Sequence, residues 1–424
     1  MKNLIEQLTA NEQVSDYKIN IYKKESCELF FVKGKLETMR HTDTCDREVT
    51  VYTCHDGVMG DARFFVYPST TEEDIKNLIG EAVAKALLIE NPVYSLPEDE
   101  IGSYQVTSNF ADYDPAELVS LISEQVFAAC QQENSALNSV EVFVTKHTES
   151  VINSRGLHKT QVRYDAMVET IPTYNGPKQS VELYHQYNFS AYDPEAVHNE
   201  IVRKMAEVKA RCEAVQPDKI PACDVVLGDL EASELFWNIA EDLNYAGVYS
   251  QSNLHKKGDA IQKAPEGDVI GITMAGALEG CVNSAKFDAD GIALDAIRIV
   301  DAGKVVNYYG SNRFGQYLGE TPTGNLRCIQ VDLGTVDVKS VLDGPCLEVI
   351  SMSGLQVDFY SDYIGGEIRL AYYRDKEFVK AVTGISIAGK LSQVLNTIHL
   401  SSEVAVRDSY VGPRHVILRE MNIF

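Results

Sequence analysis

The first half of the chain alternates hydrophobic and polar residues in two similar segments. Residues 28–33 (ELFFVK) are echoed by residues 141–146 (EVFVTK), and each begins a stretch of β-rich composition. More strand-like sequence follows each of them, at residues 47–52 and 161–164. Alternation with a period of two is typical of strands that bury one face. The pattern therefore predicts a sheet made of two related halves.

Polar helix-start signals stand next to these strands. Asp114 and Asp193 are each followed by proline, which loses no hydrogen bond at the first position of a helix. An acidic run at residues 70–75 leads into a further helix. Together these signals predict two copies of a helix–strands–helix unit, and hence an α+β domain whose sheet is covered by helices on one face.

The pattern changes after Pro217 and Pro221, because two closely spaced prolines end one helix and prevent another from starting. Short strands with Gly, Asn and Asp turns follow, with helices at only two places, residues 232–243 and 390–398. The second half is therefore predicted to be a β-rich domain. The predicted domains are residues 1–215, made of copies at about 1–100 and 101–215, and residues 216–424.

Composition and charge exclude several functions. The 424 residues are 45% hydrophobic and 24% charged, which is typical of a globular protein with large cores. The 38 basic and 62 acidic residues give a formal net charge of -24, which repels phosphate backbones. We therefore expect no direct binding of nucleic acid.

Cysteine usage and hydropathy predict a cytoplasmic protein. The nine cysteines are scattered without paired spacing, as expected for reduced thiols. The N-terminus has no apolar core of signal-peptide length, and no segment approaches the ~20 apolar residues that span a bilayer. The sequence predicts neither a disulfide framework nor a membrane anchor.

One helix carries the most informative residues. A short apolar strand after Asp224 turns at Gly228 into an amphipathic helix that contains Trp237, the only tryptophan, and Asn238, and that ends near Asp242. Trp237 lies among apolar residues of this helix, so its simplest role is to fill the core.

This segment, and much of the chain after it, resembles the TldD/PmbA family. In the family's TldD branch the helix carries His-Glu-x-x-x-His at a zinc ion, and the resemblance places Trp237 and Asn238 at His-Glu and Asp242 at the second His. Trp cannot ligate zinc, and Asn cannot take a proton from a metal-bound water. The downstream Cys of the family's site is also missing from residues 407–412. The chain thus resembles the TldE (PmbA) branch, which lacks the zinc motif, and no metal is expected in it.

Four later loops carry the same resemblance, in the family's order. They are residues 250–259 after the helix, the acidic turn at 287–292 (FDADGI), the loop at 321–327 (TPTGNLR) and residues 383–391 (TGISIAGKL). Residues 289, 290 and 390 depart from the family's usual residues. Thr323, Gly324 and Asn325 are candidate peptide contacts, because a glycine can leave backbone groups open to an extended peptide. A turn that only caps a strand is the alternative for this loop.

The nearest approach to a metal-ligand set elsewhere is His41, Cys45, Cys54 and His55. Adjacent residues of a strand point to opposite faces, so Cys54 and His55 cannot both face one ion. Ordinary strand residues are the better interpretation.

The resemblance implies a function through a partner. TldD and TldE types are associated with heteromeric metalloproteases that degrade unfolded peptides and trim the leader of a modified peptide antibiotic. The chain would then be a non-catalytic, TldE/PmbA-like subunit, a pseudoenzyme whose TldD-like partner holds the zinc. The alternative is a stand-alone homodimeric scaffold that has lost proteolysis. Either interpretation predicts a dimer, and whether the chain is itself an enzyme stays open, as do substrate and stoichiometry.

Overall fold

Two long hairpins form the centre of the N-terminal sheet. The computed structural model describes residues 2–376 and 378–424. The first strands of the two hairpins pair with each other antiparallel, which places the related halves side by side. The duplicated α+β architecture predicted from the sequence is confirmed. The hairpin strands are β1 (Asp16–Val32), β2 (Lys35–His55), β3 (Val58–Val66), β6 (Ser135–Asn153), β7 (His158–Asn175) and β9 (His185–Phe189).

Shorter strands and the helices complete this half. The sheet order is β4-β3-β2-β1-β6-β7-β5, with β8 and β9 also paired to β7. The remaining strands are β4 (Asn91–Pro92), β5 (Ile101–Gln105) and β8 (Ser180–Glu182). The helices are α1 (Lys2–Ala10), α2 (Glu72–Ala86), α3 (Pro115–Ala128) and α4 (Pro194–Glu213), with a 3₁₀ turn at Asn109–Asp112.

The helix starts predicted from the sequence are confirmed. The Asp114 carboxylate accepts hydrogen bonds from the backbone N–H groups of Ala116 and Glu117. Asp193 does the same for the first turn of α4. Such caps satisfy backbone donors that have no partner inside the helix. None of the described helices is both long and apolar enough to cross a bilayer.

The helices cover one face of the sheet, as predicted. Tyr17 and Ile19 of β1 pack in one hydrophobic cluster with α1 and α2, while Cys27 and Leu29 pack in another with α3 and α4. All four positions are odd-numbered and therefore lie on the same face of the strand. The opposite face is free to receive the C-terminal half.

The C-terminal half contains a closed ring of strands. β10 pairs with both β15 and β23, and the pairs β15–β17, β17–β19 and β19–β23 complete the ring. β16 and β18 add to β17, and β20 adds to β23. These strands are β10 (Cys223–Leu227), β15 (Cys346–Met352), β16 (Gln356–Asp358), β17 (Tyr363–Asp375), β18 (Phe378–Val382), β19 (Ile385–Lys390), β20 (His399–Leu400) and β23 (Val416–Ile423).

A second sheet lies beside this ring, in the order β13-β12-β11-β14-β22-β21. The largest hydrophobic cluster joins both sheets around one helix, α5. The strands are β11 (Ile272–Ala275), β12 (Ile297–Asp301), β13 (Lys304–Val305), β14 (Cys328–Val331), β21 (Val404–Arg407) and β22 (Tyr410–Pro413). The helices are α5 (Asp229–Glu241), α6 (Tyr245–Tyr249), α7 (Asn312–Leu318), α8 (Val338–Leu342) and α9 (Leu391–Thr397).

Two expectations were wrong in detail. The sequence predicted two helices after residue 221, but α6, α7 and α8 are also present. These three helices have only five to seven residues, so each offers two turns or fewer in which a hydrophobic period could show; α9 is as short, but it was found at a loop that carries the family resemblance. The echo of residues 28–33 at 141–146 does not mark equivalent positions, because the first segment ends β1 while the second lies in the middle of β6.

Each of the three main hydrophobic clusters is made of residues from one half of the chain. The cluster around α5 contains residues from Ile220 to Met421, whereas the two clusters under the N-terminal sheet lie between Leu4 and Met205. Whether residues 1–215 and 216–424 fold as independent domains stays a prediction.

Candidate functional site

Helix α5 is buried because of its apolar face. The chain leaves β10 through Gly228, and Asp229 and Glu231 stand in the first turn, where carboxylates favour the helix dipole. Leu235 and Phe236 are fully buried between the two sheets. Such burial fixes α5 rigidly and so fixes the three positions where the resemblance places the zinc motif.

The side chains at those three positions pack against the core or form hydrogen bonds within the protein. Trp237 is only partly buried and packs at the border of the core, so its predicted role as a core-filling residue holds in part only. The Asn238 side-chain amide donates a 2.8 Å hydrogen bond to the Glu234 carbonyl. This contact keeps the Asn238 amide within its own helix.

Asp242 fastens the loop that follows. Its carboxylate accepts hydrogen bonds from the backbone N–H groups of Leu254 (2.7 Å) and His255 (3.0 Å), and Nδ1 of the His255 ring lies 2.8 Å from Oδ2. Burial opposes ionisation of Asp242, but these hydrogen bonds outweigh it and lower its pKa. The carboxylate thus ties the loop at residues 250–259 to the end of α5.

These residues do not fit a zinc ion. Zinc in proteins takes Cys, His, Asp or Glu ligands, usually four including water. Of the three motif positions only Asp242 offers a donor, and its oxygens are already engaged. Arg407, in the segment that lacks the family's Cys, directs Nη1 to within 3.7 Å of the Asp229 carboxylate. Within residues 2–376 and 378–424, no group of three His, Cys, Asp or Glu side chains has the arrangement of a metal site.

The set His41, Cys45, Cys54 and His55 is spread along β2. From residue 41 to residue 55 the strand extends about 45 Å. His41 lies opposite Cys27 of β1, whereas Cys54 lies opposite Met59 of β3. The structure therefore does not bring these four side chains together.

The loop at residues 321–327 is more buried than the peptide-contact prediction supposed. The Thr323 hydroxyl accepts a 2.9 Å hydrogen bond from the Gly310 N–H. Gly324 is buried with φ +74°, and a Cβ there would stand 2.5 Å from a Leu294 methyl carbon. The Asn325 side chain is exposed, but its backbone N–H bonds to Asp288. Of the three candidates, Asn325 alone presents an exposed side chain.

The acidic turn at residues 287–292 connects the two halves of the molecule. Lys18 pairs with Asp290, and the Asn20 amide donates to the Ala289 carbonyl, both from the helix-free face of β1. Lys159, only 1% exposed, donates to the Gly291 carbonyl at 2.8 Å and lies 2.6 Å from the Glu100 carboxylate. This turn, one of the loops that carry the family resemblance, thus connects the halves, and residues 321–327 support it through the hydrogen bond from the Asn325 N–H to Asp288.

A cleft of about 620 Å³ lies between the two halves, next to the start of α5. Strand β9 borders it on one side and β21, the last strand of its sheet, on the other. Val404 and Val406 of β21 are 50% and 46% exposed. An edge strand with exposed apolar side chains can pair with an extended peptide.

Charged residues line the same cleft. His185 lies 3.1 Å and Arg203 2.6 Å from the Glu200 carboxylate. Although burial opposes it, the contacts with His185 and Arg203 hold the pKa of Glu200 well below its usual range, while burial lowers the pKa of His185. Arg407 Nε has no hydrogen-bond partner among the described residues.

The sequence did not identify this cleft, because its residues come from four distant segments near 200, 229, 280 and 407. The one available signal was Arg407 at the segment where the family has a Cys.

Comparison with known proteins agrees with the fold. Residues 221–424 match the family model described as PmbA/TldA metallopeptidase C-terminal domain, so this half has a metallopeptidase-type fold. The half at residues 221–424 belongs to the TldD/PmbA family. The other half shares its fold with the structural neighbours below. No curated protein matches the sequence.

Solved structures cover the whole chain. TldE from Thermococcus kodakarensis aligns with a TM-score of 0.80 and 16% identity, over 100% of this chain and 99% of that one. A proposed modulator of DNA gyrase from Bacteroides thetaiotaomicron aligns with a TM-score of 0.78 and 12% identity, over 100% and 97%. A similarly described protein from Thermotoga maritima aligns with a TM-score of 0.75 and 14% identity, over 100% of both chains. At such identities the likeness establishes the fold.

Metal analysis of the purified chain should find far less than one equivalent of zinc. The reason is that Trp237 and Asn238 offer no ligand and Asp242 is engaged with residues 254 and 255. The triple variant Trp237→His/Asn238→Glu/Asp242→His should also fail to hold zinc tightly, because the third ligand is still missing. One tightly held zinc per wild-type chain, removed only by a chelator, would contradict this prediction.

Proposed function

We propose that this chain is a non-catalytic, TldE/PmbA-like subunit of a TldD/TldE-type metalloprotease complex that acts on unfolded peptides or peptide leaders. A TldD-like partner would hold the zinc, and this chain would hold none. The complex would work in the cytoplasm, without binding nucleic acid or a membrane. The observation that carries the proposal is the set of contacts made by Asn238 and Asp242, which occupy motif positions without offering a metal site.

The charged cleft supports a role in holding peptide. An unfolded peptide offers backbone donors and acceptors in an extended row, and the edge of β21 offers the complementary row. Arg407 and Arg203 supply positive charge there, and Asp229 supplies negative charge. Such a surface positions a chain without cutting it, since a nucleophilic water needs the metal of the partner.

A reconstitution experiment tests the proposal. The chain alone should be inactive on a quenched unfolded peptide. Mixed with a TldD-like protein that retains His-Glu-x-x-x-His, it should form a complex, which we expect to involve the C-terminal half, and cleavage should appear and stop with a chelator. Light scattering on the mixture measures the complex. Robust, chelator-insensitive cleavage by the single chain would defeat the proposal.

A matched pair of variants asks whether the cleft takes part. Val406→Glu adds a charge to β21, and we expect about a tenfold slower cleavage by the mixture, equivalent to about 1.4 kcal/mol of lost binding. Phe65→Glu changes a side chain of the same 46% exposure on β3, far along the chain from the cleft. It should leave cleavage unchanged. If no mixture cleaves and the chain forms only homodimers, the alternative, a stand-alone scaffold, is supported instead.

A further inference from the structure

A second pocket adjoins the cleft beside α5. Its volume is about 540 Å³, and Asn188 and Asp408 line both spaces. The N-terminal sheet supplies an apolar floor, because Phe143 of β6 lies opposite Met167 of β7, and Met167 lies opposite Asn188 of β9. The neighbouring positions of these strands pack under the helices, so the three side chains face the C-terminal half. Val282 borders the pocket from that half.

The positive charge in this side pocket is already paired. Arg163 Nε lies 3.1 Å from a Glu149 carboxylate oxygen, and Arg163 Nη1 lies 2.8 Å from Oδ2 of Asp165. His147 Nε2 lies 2.6 Å from the same oxygen of Asp165. Both Arg163 and Asp165 therefore have charged partners within their own sheet.

Asp408, in contrast, is a carboxylate without a counter-ion. Its Oδ1 accepts a 2.9 Å hydrogen bond from the Asn188 amide, and no cationic side chain among the described residues forms an ion pair with it. Asp408 lies in the turn between β21 and β22 with φ +50°, and its carbonyl accepts a 2.9 Å hydrogen bond from the Val282 N–H. The carboxylate is thus held in place, half-buried, where the side pocket and the cleft meet.

An apolar floor beside a carboxylate is complementary to a basic side chain. Lysine and arginine bury their apolar stems against hydrophobic surface and keep the charged end at a polar group. Phe143 and Met167 offer surface for the stem, and Asp408 offers a charge-assisted hydrogen bond for the end. The net charge of -24 also attracts basic chains at long range.

We propose that the side pocket binds a lysine or arginine side chain of an extended peptide whose backbone lies along β21. The strand ends at Arg407, so a peptide paired with its edge reaches Asp408 at the end of the strand. This inference rests on the proposed role of the cleft in holding peptide, and it names the substrate class as peptides with a basic residue at that point.

Peptide binding to the full-length chain, measured by fluorescence anisotropy, tests the pocket without a partner or cleavage. Two short, labelled, unstructured peptides differ at one central residue, which is lysine or norleucine, so that only the ammonium group distinguishes them. The wild-type chain should bind the lysine peptide about tenfold more tightly. Asp408→Asn keeps an acceptor for Asn188 but removes the charge, so it should bind both peptides equally. Asp295→Asn, which removes one negative charge from an exposed site, should keep the preference.

The outcomes separate this inference from the proposed function. Equal affinity of the wild-type chain for the two peptides, no binding of either, or a preference that survives Asp408→Asn overturns the pocket assignment, even where the mixture with a TldD-like protein cleaves. A lysine preference that depends on Asp408 supports the assignment, even where no mixture cleaves and the proposed function fails.

Discussion

Asp288→Ala should lower the free energy of unfolding by about 3 kcal/mol. Asp288 is 2% exposed, and its Oδ1 accepts hydrogen bonds from the N–H groups of Asp290 (2.9 Å) and Ile292 (3.0 Å). Its Oδ2 accepts from the Asn325 N–H at 2.9 Å. Alanine leaves these three donors without partners, and each costs about 1 kcal/mol or more. Denaturant unfolding of the full chain measures the loss.

Asp288→Asn separates the contribution of the hydrogen bonds within the turn from that of the hydrogen bond to Asn325. Burial, and then the neighbouring Asp290 carboxylate, raises the pKa of Asp288. Asp288→Asn keeps one acceptor for the turn but turns an amide donor toward the Asn325 N–H, and about half of the loss should remain. Asp295→Ala, at an exposed acid nearby, should change nothing. A loss below 1 kcal/mol for Asp288→Ala would mean that the turn does not depend on these bonds.

Glu231→Gln should stabilise the protein at pH 8 and leave it unchanged near pH 4.5. Glu231 is 4% exposed, and burial raises its pKa from 4.5 to about 7, with Glu234 and Asp229 adding to the shift. Between these two values the folded protein binds a proton that the unfolded chain has released. The stability contributed by Glu231 is therefore lost as the pH rises through this window. At pH 8 the gain from glutamine is on the order of 2 kcal/mol.

Unfolding curves of the wild-type and Glu231→Gln chains at several pH values measure how the gain in stability depends on pH. Glu241→Gln is the control, because Glu241 is exposed at the other end of α5, and its effect should be small at every pH. A gain for Glu231→Gln that is equal at pH 4.5 and pH 8 would show that packing, and not ionisation, is responsible.

Local signals predicted much of the N-terminal half. The Asp-Pro pairs fixed two helix starts, because a cap and a proline act within a few residues of each other. Alternation predicted strands in both halves of the sheet, since a strand that buries one face needs a period of two. The two similar segments, residues 28–33 and 141–146, were wrongly taken as equivalent positions. Their compositions are alike, but the first lies next to the turn of its hairpin and the second lies in the middle of a strand.

The candidate site was predictable only where one segment carries it. Trp237, Asn238 and Asp242 lie on one helix, so the sequence identified all three together. Their contacts depend on tertiary packing: the exposure of Trp237 is set by which side of α5 faces the two sheets. Gly324 was expected to open its loop, but the approach of Leu294 and Asp288 closes it, and neither neighbour is near it in the sequence. The cleft at Arg407 could not be predicted from any one segment, because its lining residues come together only in the complete fold.

The ring of strands in the C-terminal half sets an order for synthesis and folding. β10 at Cys223–Leu227 pairs with β23 at Val416–Ile423, almost 200 residues later. A ribosome that has made β10 must therefore complete nearly the whole second half before that strand gains its second neighbour. During this interval the apolar face of α5 is without its full cover, and segments exposed in this way are prone to aggregation. The N-terminal hairpins, whose strands pair with close neighbours in sequence, can form while the ribosome is still working.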